Sequence, residues 1–385
     1  MRFADNRNKI GKYIPAVVFL IFIYGMALWF IFSPKPDYSS SEKRYLQKFP
    51  EVTAEKLLSG DFGSEFETFF ADRFPQRNTW VGLNAYTALA VGNNGASGVY
   101  NCKNGYLINK PVSTENNLDK NIGAVADFAK SIDTPTTVML VPSTGYIVDD
   151  VLPTFHDKYN DDEDISKISS TLSKDKIGFV DLRERFKSEY KNGSQLYYKT
   201  DHHWTTKGAY TGYQELCKAL GITPIDDSTL KKDSYPDFYG TTYSSSGFWL
   251  TPPDNIEIWN NPKNSDRNIS VKITEDANIK TSGSMYFTDH LKEDDKYPVF
   301  IDGNHALTEI TNTNAKNGTI LLIKDSFSHS LAPFLAENYS KVVLVDLRYY
   351  KESVSDLVTT YNPEQVVVLY GIDNLATDTD IVWLK

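Results

Sequence analysis

Cysteine is scarce: the chain of 385 residues holds two, Cys102 and Cys217, with no CxxC pair and no Cys/His cluster beside them. That scarcity excludes a thiolate zinc site and a framework of disulfides, leaving room for one bridge at most. Cys217 falls on the apolar face of a predicted helix, the usual setting of a buried free thiol. Positive charge is in deficit, 40 Lys and Arg against 50 Asp and Glu, giving a net charge of −10. Such a surface does not attract nucleic acid or anionic lipid, so neutral partners fit better. Internal repeats are missing as well. Aromatics, by contrast, are plentiful, with 24 Tyr and 21 Phe, enough for a packed core and an aromatic surface of the kind that binds sugars.

Long apolar runs are also missing, with one exception at the start. Arg2, Arg7, Lys9 and Lys12 precede an uncharged stretch from Tyr13 to Phe32, and about 20 apolar residues are what a helix needs to cross a bilayer. Basic residues before the stretch place that end in the cytoplasm, and Trp29 suits the far interface. Residues 1–12 then form a cytoplasmic tail, 13–32 a transmembrane anchor, 33–60 a Pro/Ser-rich tether and 61–385 an extracytoplasmic domain. A cleaved signal peptide is the rival, but no A-x-A-like site follows; Ser33, Pro34, Lys35 and Pro36 do.

Phe62, Phe66, Phe69 and Phe70 recur at helical spacing, and the helix they predict stops near Pro75; a second runs toward Ala90. Val99-Tyr100 and Tyr106-Leu107-Ile108 flank Asn104-Gly105, a hairpin signal. From about residue 120, helical stretches alternate with apolar strands such as 138–141, 178–182, 319–323, 342–345 and 366–370. That rhythm predicts a parallel, doubly wound sheet flanked by helices. Between about 232 and 300 it breaks into Tyr, Ser, Pro and Asn with short β-like runs, read as an inserted β-rich excursion.

Two strand-to-helix junctions carry candidate chemistry. In Lys324-Asp325-Ser326-Phe327-Ser328 a serine sits where open α/β sheets bind ligands and where helix N-terminal N–H groups stabilise an oxyanion; simple helix capping is the plainer reading. In Thr200-Asp201-His202-His203-Trp204-Thr205-Thr206 the D-x-H spacing lets Asp201 orient His203 as a general base, with Thr206 as the expected cap of the following helix. Surface histidines beside a core tryptophan are the alternative. A metal site is a third reading, but of six histidines none is spaced as a further ligand.

The segment Asp201-His202-His203-Trp204 resembles the motif that names the DHHW family of bacterial proteins. The Ser326 element is similar to the nucleophile block of the alginate O-acetylation proteins, which are SGNH-hydrolase-like. Further similarity lies in 69–77 and in Gly105-Tyr106-Leu107-Ile108, so the resemblance runs from about residue 42 onward. Ordinary SGNH hydrolases place the serine early and the histidine block late; here the order is reversed, as in the alginate acetylation proteins. The resemblance implies an SGNH-hydrolase-like, flavodoxin-like parallel sheet with permuted motif order, preceded by one transmembrane helix.

By the same resemblance Ser326 is the nucleophile, His203 the base and Asp201 its orienting acid, while Lys324 stands where the family has glycine and His202 competes for the base role. Asn304, in Asp302-Gly303-Asn304-His305, is a candidate oxyanion donor beside the Ser326 N–H, against the plainer reading of a turn residue. Tyr370 and Arg348, near strand ends expected to flank Ser326, are candidate pocket residues. The implied activity is O-acetylation of a secreted or cell-surface polysaccharide through an acetyl-serine intermediate, needing no cofactor and no metal. A polytopic membrane acyltransferase would supply the acetyl group to this single-pass bacterial membrane protein, since acetyl-CoA is cytoplasmic. An esterase with the same triad and a non-catalytic glycan-binding scaffold are the alternatives.

Overall fold

The computed structural model describes residues 2–113, 117–275 and 278–384. The chain divides into two compact units, 1–84 and 85–385. In the first, helix α1 (Arg2–Phe32) contains the one stretch among the described residues long and apolar enough to cross a membrane, Tyr13–Phe32, with a mean hydropathy of 2.4. Helices α2 (Asp61–Asp72) and α3 (Arg77–Ala90) follow. The expected tether is partly folded: Asp72 accepts from the Arg44 guanidinium and the Gln47 N–H. Arg73, 5% exposed, donates to the carbonyls of Lys35 and Pro36.

The second unit opens with the expected hairpin, Val99–Asn101 pairing antiparallel with Leu107–Asn109. Its turn places Asn104 and Gly105 at φ 57° and 77°, the left-handed conformations that an Asn-Gly turn accommodates. The alternating region then runs α4 (Asn117–Ser131), β1 (Thr136–Val141), α5 (Asp161–Lys174) and β2 (Gly178–Asp181). After α6 (Thr206–Leu220) and the short α7 (Thr241–Ser246) come β3 (Ile269–Glu275), β4 (Asn278–Ser282), β5 (Leu307–Asn312) and β6 (Asn317–Lys324). The chain closes with α8 (Ser328–Leu335), β7 (Tyr339–Val345), α9 (Val354–Tyr361), β8 (Gln365–Gly371) and α10 (Ile372–Thr377). Helix α6 starts one residue earlier than expected in its capping: Thr205 accepts from the Gly208 N–H, and the Thr206 hydroxyl donates instead to the Glu257 carbonyl.

The eight strands form one sheet in the order β4-β3-β5-β7-β6-β8-β1-β2. From β7 to β2 the pairs are parallel; β5, β3 and β4 extend them antiparallel. The β-rich excursion is therefore not a separate insertion throughout. Its second half, β3 and β4, joins the main sheet, while Lys231–Phe238 pairs with Asp254–Asn260 outside it. Strand β3 alternates buried and open positions, the pattern of an antiparallel strand with one face in the core.

The central parallel strands β6 and β8 are buried on both faces along most of their length, and their two-residue period divides the core. Ile320, Leu322, Val367 and Leu369 pack toward α6 and α8. Leu321, Ile323, Val366, Val368 and Tyr370 pack toward α4, α9 and α10. Both cysteines lie in the first core and are unpaired; burial pushes each thiol up to about 12, the behaviour of inert structural thiols.

Candidate active site

Strand β6 ends at Lys324, and the next three residues turn the chain into α8. Asp325 builds the turn. One of its oxygens accepts from the Phe327 N–H at 2.9 Å, and the other from the Gly371 N–H and the Asn374 amide at 2.7 Å each. The Ser326 turn is thus riveted to the carboxyl end of β8. Burial raises the Asp325 pKa against those hydrogen bonds.

The loop 200–205 carries the second half of the site. Asp254 holds it from behind, accepting from the N–H groups of Lys199 and Thr200 and from the Thr200 hydroxyl. Trp204, fully buried, donates its indole N–H to the Phe327 carbonyl at 3.0 Å and to the Ser330 hydroxyl at 2.9 Å. The indole therefore ties the histidine loop to the serine helix, residues more than 120 positions apart.

Within this frame His203 Nδ1 lies 2.5 Å from Asp201 Oδ1 and Nε2 lies 2.7 Å from Ser326 Oγ. Asp201 Oδ1 also accepts the His203 backbone N–H, and Oδ2 accepts from the Thr241 N–H and hydroxyl. Burial would raise the Asp201 pKa, but the charges of His203 and His202 and the hydrogen bonds from His203 hold it well below the usual carboxylate range. An ionised Asp201 keeps the proton on Nδ1, which leaves Nε2 to accept the Ser326 hydroxyl proton. Tyr297 stacks on the imidazole at 4.0 Å and 9°, and the His202 ring covers it at 3.9 Å.

Gly240 makes the arrangement possible: a Cβ there would come within 2.1 Å of the Asp201 side chain. His202 Nδ1 shares a 2.6 Å hydrogen bond with Thr241; burial and the neighbouring His203 charge bring the His202 pKa down to about 4. Donor atoms of Asp201, His202 and His203 lie within 4.8 Å of one another. Both His203 nitrogens and both Asp201 oxygens already hold hydrogen bonds.

These segments lie within the stretch that matches a known family. The family model described as "DHHW protein" matches residues 106–345, more than half of the chain. The chain belongs to the DHHW family. No curated protein matches it. Among solved structures, a DHHW family protein from Eubacterium siraeum aligns with a TM-score of 0.63 at 17% identity, covering 75% of this chain and 97% of that one. Bacillus cereus PatB1, solved with a sulfonyl adduct, aligns with a TM-score of 0.61 at 20% identity over 74% and 97%. The O-acetyltransferase domain of Pseudomonas putida AlgJ is more distant, with a TM-score of 0.48 at 14% identity over 75% and 95%. At these identities the first two show a shared fold, a mostly parallel α/β sheet with flanking helices.

In this DHHW chain three of the expected site residues, Ser326, His203 and Asp201, meet. The other three do not join them. Tyr370 has the parity of Val366 and Val368, so it packs into the core on the face of α4, α9 and α10. Arg348 is engaged with Asp346 through Nε and Nη2, and donates to Asn304 Oδ1 at 2.9 Å; Asn304 is exposed. The Ser326 N–H makes no backbone hydrogen bond among the described residues.

Lys324 does not disturb the turn. It is an ordinary strand residue whose buried ammonium donates to Asp346 at 2.8 Å and to His329 Nε2 at 2.9 Å. The roles of Tyr297, Asp254, Gly240, Thr241 and Asn374 carry no mark in the sequence; a turn at Tyr239-Gly240-Thr241 was its nearest signal.

Proposed function

We propose that this protein is a membrane-anchored serine O-acyltransferase that places acetyl groups on a secreted or cell-surface polysaccharide. One observation carries the reading: the continuous hydrogen-bonded chain from Asp201 through His203 to Ser326 outside the carboxyl end of β6. The sulfonyl adduct of PatB1 accords with a fold that presents a reactive nucleophile.

In the first half-reaction Ser326 Oγ attacks the acetyl carbonyl carbon while its proton passes to His203 Nε2, and Asp201 stabilises the imidazolium. The negative charge on the carbonyl oxygen is taken up by the Ser326 N–H. The leaving group departs with the proton from His203, and acetyl-Ser326 remains. In the second half a sugar hydroxyl gives its proton to His203 and attacks the ester, which restores the serine. Tyr297, stacked on the imidazole, and the adjoining His202 ring hold it in place between these steps. The acetyl donor would reach the site from a polytopic membrane acyltransferase, with the N-terminal helix holding this chain in the bilayer beside it.

The test is intact mass of the full chain and of Ser326→Ala after incubation with an activated acetyl ester. A transient gain of one acetyl on the wild type alone is expected, discharged faster by an acceptor oligosaccharide than by water. Discharge by water at the same rate with or without acceptor makes the protein an esterase, and equal labelling of both chains removes Ser326 from the reaction.

A further inference from the structure

Phenylalanines of the first unit form one connected cluster. Phe62, Phe66, Phe69 and Phe70 line one side of α2, with ring centroids 6.1 Å apart for Phe62 and Phe66 and 6.3 Å apart for Phe66 and Phe69. Phe49 packs on Phe66 at 6.0 Å and on Phe69 at 5.4 Å. Phe30, in the last turn of α1, packs on Phe69 at 6.3 Å and on Phe70 at 4.6 Å. An apolar stripe of this kind ordinarily faces a core. Here none of these six rings is buried, and Phe49, Phe66 and Phe70 are 58%, 41% and 42% exposed. The adjoining short helix Ala54–Ser59 buries no residue either, and its Leu57 and Leu58 are exposed. The opposite side of α2 carries Ser64, Glu67 and Thr68, all exposed. A contiguous exposed apolar face opposite a polar one marks an interaction surface.

Two observations say what covers it. The face is continuous with the surface of the apolar stretch Tyr13–Phe32, because Phe30 belongs to both. The polar edge of that stretch also lies beside the cluster. The Lys35 ammonium sits over the Phe30 ring at 4.1 Å and donates to the carbonyls of Phe30 and Ser33, the posture of a lysine whose stem covers apolar surface while its charge stays at the polar boundary. Arg73 fixes the same level from the other side: it donates to the carbonyls of Lys35 and Pro36 and to the Asp37 carboxylate. The C-terminal end of α2 is thereby held where the chain leaves α1.

We propose that α2 lies along the extracytoplasmic surface of the bilayer with its phenylalanine face in the interfacial layer, a second membrane contact beside the span. The proposal rests on the reading of Tyr13–Phe32 as a span. Apolar area holds the contact, since a net charge of −10 gives no attraction to anionic lipid. A lone helix leaves the unit it carries free to tilt, and this second contact fixes the tilt of the first unit.

The measurement is power-saturation EPR on the full chain in phosphatidylcholine vesicles, with one nitroxide at a time on Phe66→Cys, Phe49→Cys, Ser64→Cys or Ile23→Cys. Cys102 and Cys217 are buried and do not compete for the label. Positions 64 and 66 point about 200° apart on a helix, so they sample the two sides of α2. Oxygen concentrates in lipid and a nickel chelate in water. The labels at 66 and 49 are expected to meet oxygen more than nickel, and the label at 64 the reverse. Equal ratios at 49, 64 and 66 overturn the docking and leave the face to solvent or to another membrane protein. The unsubstituted chain gives a reading that no lost ring can disturb: phosphatidylcholine carrying a diazirine near its headgroup should cross-link within residues 49–70, and absence of cross-links there overturns the docking as well. The label at 23 reads the span by itself. Lipid at 23 with water at 49 and 66 overturns the docking alone, and water at 23 with lipid at 49 and 66 overturns the span alone.

Discussion

Asp201→Asn removes one charge and changes almost no shape, so its effect can be worked from the contacts. Oδ1 receives two donors from His203, its backbone N–H and Nδ1, and Oδ2 receives the Thr241 N–H and hydroxyl. An asparagine amide has one oxygen for two such sites. If its oxygen stays with Oδ1's donors, its NH2 meets the Thr241 N–H head-on; if it faces Thr241, the NH2 points at His203 and favours the tautomer with the proton on Nε2. In that tautomer Nε2 donates toward Ser326 Oγ and no longer takes its proton. The same substitution in a serine protease triad costs about 10⁴ in rate, and here a loss of 10³ to 10⁴, about 4–5.5 kcal/mol of transition-state stabilisation, is expected. Stopped-flow measurement of acetyl-enzyme formation from an activated ester, with thermal melting to confirm folding, reads it. A folded Asp201→Asn chain that labels within tenfold of wild type would refute the triad.

Three further outcomes follow from the packing around the site. Gly240→Ala places a methyl within 2.1 Å of Asp201, so acetyl labelling should fall at least about a hundredfold, read by the same assay. In the buried ion pair, Asp346→Ala should cost more than Lys324→Met, about 3–5 against about 1–3 kcal/mol in urea unfolding. After loss of the lysine Asp346 keeps Arg348 at 2.6 Å, whereas after loss of the acid Lys324 keeps only His329, and equal costs would refute this ordering. Asp161 has its pKa raised to about 7 by burial, so its contribution to stability is fully present below about pH 4 and is lost as pH rises through 7. Asp161→Asn, which keeps the acceptor for Ser143, should therefore gain about 1–3 kcal/mol over wild type at pH 8 and lose most of that advantage by about pH 4 in parallel melts.

Local pattern made much of this legible. The apolar runs Thr319–Ile323 and Val366–Tyr370, set between helical stretches, marked the parallel strands, and Asn104-Gly105 marked the hairpin. The order Asp201, His203, then Ser326 followed from the motifs themselves. What escaped was anything that depends on parity or on contacts far along the chain. Tyr370 stood at the right strand end, but one step along β8 decides which face a side chain takes, and the step sends it away from Ser326. Lys324 looked like a fault in a glycine turn because nothing nearby announced Asp346, 22 positions on. Tyr297 and Asp254 lie in the stretch read as a β-rich excursion, and their service to His203 becomes visible only when the chain folds back.

Every tie that shapes the site bypasses the reactive atom. Trp204 grips the Phe327 carbonyl and Ser330, Asp325 grips β8, Asp254 grips the loop, and among the described bonds the Ser326 hydroxyl is joined to His203 alone. Architecture and reagent are therefore separable in this molecule. A descendant that exchanged the serine for alanine would keep the fold of the site and its Asp-His-His-Trp signature, so within such a lineage that signature reports the scaffold and says nothing of the hydroxyl at position 326.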